Sequence, residues 1–319
     1  MRSLLRATEF PKIRKRLGLS GRPSLGSFSE AGNVFPAEHL GDLVQHLAQQ
    51  AIPREKNPQL RQLTQTLTAV DGSILPALPR MLWALWMDDQ HRGAKLHLQY
   101  EILKAAPVRA ELTEARTDDR AILQHQLEAG RLYVLDRGFV DYELFDKILQ
   151  AESSLVCRLP INAALEETEG RPLSPEDQAA GVVSDCVGRL GSSSHRRVSI
   201  PIRVVEVHRW QNGNLNVWRL ATDRMDLPAD LIALIYQHRW AIELFFRWMK
   251  CNLNLRHLYS ESQNGMHIQV YAALIATLLL TLYTGLKPNK AILEAVCFYL
   301  QGWATEEELI ARIRKLKKR

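Results

Sequence analysis

The chain has 319 residues, 46% hydrophobic and 24% charged, the balance of an ordinary globular protein long enough for one large domain or two smaller ones. Its 41 Lys and Arg against 35 Asp and Glu leave a net charge of +6, a modest pointer to a polyanionic partner. Cys157, Cys186, Cys251 and Cys297 are scattered with no CxxC, which excludes a zinc module and fits a reducing cytoplasm; Cys157 and Cys297 read as buried thiols. Neither a signal peptide nor a membrane span is expected. The N-terminus lacks a continuous apolar stretch, and the greasiest run, Val270 to Tyr283, is about 14 residues.

Residues 1 to about 30 are basic, dotted with Gly, Ser and Pro, and read as an arm or loop. Residues 2 to 16 hold Arg2, Arg6, Lys12, Arg14, Lys15 and Arg16 against Glu9 alone, and the last eight residues, RIRKLKKR, hold six basic groups; both ends read as phosphate-seeking. Leu40, Leu43, Val44 and Leu47 recur at helical spacing, and a second short helix is expected over 60–68. LTAVDGSILPAL, from Leu67, reads as a strand with Asp71 at its middle, followed by the apolar run 81–87. Alternation predicts strands over 94–102 and 108–115, and Thr117 is a credible cap for a helix through Ala129.

Tyr133 to Asp136 is a short buried strand that leads through a glycine turn into a helix ending near Gln150. LVCRL, 155–159, is the next strand. From about Ile161 to Arg197 periodicity fades, and Ser192 to Ser194 with His195, Arg196 and Arg197 look like a polar loop tip. Strands resume over 198–207 and 215–221. An uninterrupted apolar-periodic run from Pro228 through Lys250 predicts one long helix, followed by helices around Val270, Lys290 to Leu300, and a basic amphipathic one from about Thr305.

Three carboxylates stand where burial is costly: Asp71 within an apolar strand, Asp136 at the end of another, and Glu243 on a greasy helix. On an ideal helix Tyr236, Arg239, Glu243 and Lys250 fall within about 60° of one another. One by one these groups read as turn, cap or ion-pair residues. Together they are explained by a divalent-metal site on which the three carboxylates converge, with Tyr236, Arg239 and Lys250 as donors to phosphate.

VDGS around Asp71, YVLDRGF around Asp136, RGAKLH from Arg92 to His97, and the pattern YxxRxxxExxxxxxK realised by Tyr236, Arg239, Glu243 and Lys250 resemble the DDE transposases of the IS4 type. The resemblance covers about residues 65 to 285. It implies an α/β fold: a ribonuclease H-like core with a β-rich insertion before the last catalytic helix, plus small helical N-terminal and helical C-terminal regions. It divides the chain into a basic helical region 1–65, core segments 66–160 and 215–285, an insertion 161–214 and a basic tail 286–319.

The resemblance further implies that Asp71, Asp136 and Glu243 are catalytic and hold Mg²⁺ or Mn²⁺. It implies that Tyr236, Arg239 and Lys250 bind DNA and that Trp210, rather than Trp218, stacks on a flipped base. The implied partners are double-stranded DNA, at terminal inverted repeats and target, and a second copy in a synaptic dimer, with no membrane. The implied place is the cytoplasm, at the nucleoid. Two other readings stay open: an inactive or truncated DNA-binding relative of the same fold, and a ribonuclease H-like nuclease without strand transfer.

Overall fold

The computed structural model describes residues 2–77, 81–84, 92–191, 197–211 and 213–317. The apolar run 81–87 lies partly outside them, and Ser192 to Arg196 of the polar loop tip lie wholly outside. Five helices precede the first strand: α1 (Arg2–Ala7), α2 (Pro11–Arg16), α3 (Leu25–Val34), α4 (Glu38–Gln50) and α5 (Pro58–Arg61). The segment expected as an arm is therefore helical, and local chemistry explains it. Pro11 opens α2, and the Ser24 hydroxyl accepts from the Ser27 N–H to cap α3. Lys12 lies 4.2 Å over the ring of Tyr299 and Arg16 donates to its hydroxyl, so the basic front of the chain docks on its C-terminal region.

Then come β1 (Thr66–Pro76), β2 (Gly93–Glu101), β3 (Ala106–Glu114), α6 (Asp119–His125), β4 (Arg131–Leu135), α7 (Tyr142–Gln150) and β5 (Ser154–Leu159). After these the chain forms β6 (Leu165–Gly170), α8 (Pro175–Ala179), β7 (Val182–Leu190), β8 (Ile202–Gln211) and β9 (Asn214–Thr222). Asp118, not Thr117, caps α6, its carboxylate accepting from the Arg120 N–H. The nine strands among the described residues make one sheet, ordered β3-β2-β1-β4-β5-β9-β8-β7-β6. β1, β4 and β5 are mutually parallel, and the other neighbours pair antiparallel. The stretch where periodicity faded thus continues the same sheet. Its outer strand β6 carries Glu166, Glu167 and Glu169, charges that discourage edge-to-edge pairing.

Alternation along β1 feeds two cores. Leu67 and Ala69 join Leu98, Val134, Val156 and Leu220 beneath α4 and three further helices, α9 (Ala229–Gln237), α10 (Trp240–Asn252) and α11 (Gln263–Thr284). Val70 joins Tyr133, Leu135 and the apolar face of α7 on the other side. The architecture is mixed α/β, a central sheet with helices on both faces. It ends in α12 (Lys290–Gln301) and α13 (Glu306–Lys317).

Three expectations need correction. The single helix from Pro228 to Lys250 is two helices that break at His238 and Arg239, where Arg239, Ala241 and Ile242 N–H groups each bond three residues back. The apolar run near Val270 is a 22-residue helix, long and apolar enough by length and composition to cross a membrane; half of its most apolar window is buried in this fold. Cys297 is half-buried rather than buried.

Candidate active site

Register places the first two carboxylates. Ala69 of β1 pairs with Val134 of β4 in parallel, and Asp71 and Asp136 each lie two residues further on. They therefore stand level, on the same face, Asp71 in the middle of β1 and Asp136 just past the end of β4, on strands about 4.8 Å apart. Asp71 accepts from the Gly72 N–H at 2.8 Å and Asp136 from the Gly138 N–H at 2.8 Å, so glycines supply the local donors. Burial is the largest cause that pushes the Asp71 carboxyl up, from 3.8 to about 7, and the Asp136 carboxylate is the next. Glu243 adds to the rise, whereas Arg239 and the Gly72 N–H oppose it.

α10 packs over β1 and brings Glu243 and Lys250 to a cavity of about 320 Å³ whose walls include Asp71, Gly72 and Ser73. Arg239 stands between two of the carboxylates. It is ion-paired and hydrogen-bonded to Glu243, and its Nη1 lies 3.6 Å from Asp71 Oδ2. Its Nε and Nη1 are buried without a hydrogen-bond partner.

The expected convergence is incomplete in this arrangement. Among the described residues no three acidic, His or Cys side chains form a group that could hold an ion. The physical reason is Arg239, whose guanidinium supplies Glu243 with a positive partner and fixes it by an i,i+4 pair. The donor set fits a hard divalent cation, being carboxylate oxygens, with the burial-raised Asp71 feeling the charge of the half-exposed Asp136 beside it. For Glu243 to join them, its pair with Arg239 has to open.

Tyr236 differs from its expected place. It lies in the last turn of α9 rather than sharing a stripe with Glu243, is 5% exposed, and stacks edge-on against Trp218 at 5.1 Å. Burial pushes its phenol up, opposed by Arg239 and Arg158. Its ring lies 6.0 Å from the Arg239 guanidinium, so in this arrangement it backs Arg239 rather than facing solvent. Trp210 sits 75% exposed near the tip of the β8–β9 hairpin, while Trp218 is half-buried, so Trp210 is the freer of the two rings.

A neighbouring cluster escaped sequence reasoning. His97, the ladder partner of Gly72, has Nδ1 2.6 Å from Asp119 Oδ1 and Nε2 2.7 Å from Thr113 Oγ1; Lys95 Nζ lies 3.1 Å from Asp119 Oδ2. Burial opposes ionisation of Asp119, but His97 and Lys95 outweigh it and hold the carboxyl below its ordinary range. A methyl at Gly72 would overlap this carboxylate. Gly72→Ala is accordingly expected to cost about 1–3 kcal/mol through overpacking, read as a lower urea midpoint.

A family model described as transposase DDE domain matches residues 62–279. A Sinorhizobium fredii protein named as transposase y4zB is 30% identical over 216 residues, 67% of this chain and 60% of that protein. A Geobacillus stearothermophilus protein named as the transposase of insertion sequence element IS5377 is 30% identical over 202 residues, 63% of this chain and 52% of that one. A Synechocystis protein named for insertion sequence element IS4SA is 23% identical over 305 residues, 94% of this chain and 84% of its own length. The chain thus spans between half and two thirds of the first two relatives. A cryo-EM structure of a piggyBac transposase synaptic complex with hairpin DNA aligns with a TM-score of 0.46 at 10% identity, over 79% of this chain and 54% of that one.

Proposed function

The chain belongs to the insertion-sequence transposases of the DDE type, and from that premise we propose that it cuts phosphodiester bonds at terminal inverted repeats and joins the freed 3′ ends to target DNA. The observation that carries the reading is the level pair Asp71 and Asp136 on adjacent parallel strands, with Glu243 across the cavity from Asp71. The order β3-β2-β1-β4-β5, antiparallel through the first three and parallel through the last three, supports a ribonuclease H-like core. Under this reading 66–160 and 215–285 form that core, 161–214 its insertion, and 1–65 and 286–319 basic flanking regions.

In this mechanism Asp71, Asp136 and Glu243 would hold Mg²⁺ or Mn²⁺. Bound there, such an ion would supply Lewis acidity to phosphoryl transfer. The residues of the chain do the rest. Arg239, whose Nε and Nη1 carry no hydrogen bond, donates to a phosphate oxygen, and in turning to it the guanidinium leaves Asp71 and releases Glu243. Lys250 neutralises a neighbouring phosphate, Tyr236 supports Arg239 from behind, and Trp210 offers an open ring to an unstacked base. The DNA is double-stranded, the working unit is a dimer of this chain on paired ends, and the place of action is the nucleoid, away from membranes.

The Arg239–Glu243 pair also favours a second reading, a DNA-binding relative that does not cut. One assay separates the two. A labelled duplex carrying the sequence that flanks the element is incubated with Mg²⁺ or Mn²⁺ and either the parent or Glu243→Gln. Cutting at the end that disappears with the substitution supports the transposase, and joined products distinguish it from a nuclease. Binding without cutting by both proteins supports the second reading. Binding itself is expected to weaken steeply with salt, about one decade of affinity per decade of salt for each phosphate neutralised; a flat response would show that phosphates are not gripped.

A further inference from the structure

The cavity that holds Asp71 and Glu243 has a second wall made of three cations. Glu243, Arg247 and Lys250 follow at i, i+4 and i+7 on α10, one side of a helix, and Arg256 joins them from the loop beyond its end. Arg247 and Arg256 are exposed, and Arg256 Nη2 reaches the Cys251 sulfur at 3.5 Å. Among the described residues none of the three cations has a carboxylate at ion-pair distance, in contrast to Arg239. The three positive groups repel one another, and Asp71, on the same cavity, offsets this at Lys250 only in part. Burial, and next the Arg256 charge, hold the Lys250 ammonium below its ordinary range. An anion spread along this wall removes that repulsion.

The spacing suits a nucleic-acid strand. Arg247 to Lys250 covers about 4.5 Å of helix axis, and a duplex strand carries one phosphate per about 3.4 Å of its own axis. The two helical cations therefore suit neighbouring phosphates, and Arg256 continues the wall beyond the end of the helix. A lone inorganic phosphate would fill one end of it.

We propose that Arg247 and Arg256, with Lys250 between them, form a phosphate track that holds the DNA strand leading away from the carboxylates. This inference rests on the transposase reading above. Arg247 and Arg256 act as positioning residues: they set where the strand lies and touch no reacting atom.

The test uses the full chain and a labelled duplex oligonucleotide, with anisotropy titrations across a salt series. Arg247→Gln with Arg256→Gln is expected to weaken binding about tenfold near physiological salt. It should also reduce the slope of log affinity against log salt by about 1.8, or about 1.4 if the strand is single. Lys at both positions restores the slope, since a point charge suffices for counterion release. A second readout needs no substitution at the track. Cys251 is exposed on the same cavity, so bound DNA is expected to slow its alkylation by a maleimide at least severalfold, with half-buried Cys297 as the internal comparison. Inorganic phosphate at the same phosphate concentration should leave that alkylation rate unchanged.

Glu243→Gln serves as the control for the underlying reading. Should Glu243→Gln still cut, the carboxylate assignment falls. Should it be dead while the double Gln variant keeps the parental affinity and salt slope, the track alone is overturned. Alkylation of Cys251 at the same rate with and without saturating DNA overturns the track as well, as does protection by inorganic phosphate equal to that by DNA.

Discussion

Asp71→Asn is expected to yield a protein that no longer cuts DNA and yet unfolds later than its parent. Loss of cutting, about a thousandfold or more, follows under the proposed function from removing a carboxylate that would hold the divalent ion. The gain in stability follows from the cost of that charge in the folded chain. Its carboxyl is pushed from 3.8 to about 7, chiefly by burial and then by Asp136, so ionising it works against the fold. At about 1.4 kcal/mol per tenfold in the proton equilibrium, the cost reaches at most about 4 kcal/mol.

The sign fixes the pH window. Below pH 3.8 Asp71 is neutral in both folded and unfolded chains and costs nothing; the penalty grows as pH rises and is complete above about 7. Asn keeps the acceptor for the Gly72 N–H but cannot ionise. The variant should therefore match the parent near pH 4 and exceed it at pH 8 by several degrees in unfolding temperature. Added Mg²⁺ or Mn²⁺ should narrow the gap at pH 8 by stabilising the parent alone. A variant equal to or weaker than the parent at pH 8 without metal would show that Asp71 is well solvated or fully compensated.

The second large effect lies away from the cavity. Arg203 is 1% exposed on β8, and its Nε and Nη2 bond both oxygens of Asp185 on β7 at 2.9 and 2.8 Å; the Asp185 side chain is 4% exposed. The remaining Arg203 nitrogen, Nη1, donates to the carbonyls of Arg224 and Leu227, in the turn that leads into α9. One guanidinium thereby ties the outer sheet to the segment that launches the two helices over the cavity.

Arg203→Met is expected to cost about 3–5 kcal/mol, because it leaves a buried carboxylate with only Arg171, 3.7 Å away, and strips two carbonyls of their donor. Adding Asp185→Leu should restore much of the loss, since the unpaired charge rather than the missing bond dominates it. Urea unfolding of the four proteins in the cycle measures both values. A single variant that loses less than about 1 kcal/mol would mean that water reaches the pair.

The contrast between these two sites shows what kinds of residue announce themselves. Asp71 and Asp136 were legible because each interrupts an apolar strand, an arrangement whose cost is visible without coordinates. Arg247 was within reach too, since it continues the Glu243 side of the helix at i+4 toward Lys250. Arg256 had no such signal, because it enters the cavity from a loop. Arg203 gave none either: in sequence it is one more charge in an alternating strand, and its burial comes from a partner two strands' length away in the chain. The His97–Asp119 pair behind Gly72 was hidden for the same reason, as ladder pairing and a helix start bring together residues that local pattern cannot relate.

The amino-acid sequence by itself determined the chemistry available: which carboxylates sit among apolar neighbours, which helix carries an arginine, a glutamate and a lysine, and the order of strands and helices that builds a mixed α/β sheet. These are properties of short windows, in which propensity, periodicity and burial cost act within a few residues of one another. Only the tertiary structure decided the rest. Parallel register made Asp71 and Asp136 level, the break at His238 turned Tyr236 toward Trp218 and away from Glu243, and packing set Arg239 between Asp71 and Glu243. Which opposite charge a buried group meets depends on distances between elements far apart in the chain, and those exist only once the sheet and the helices over it have closed.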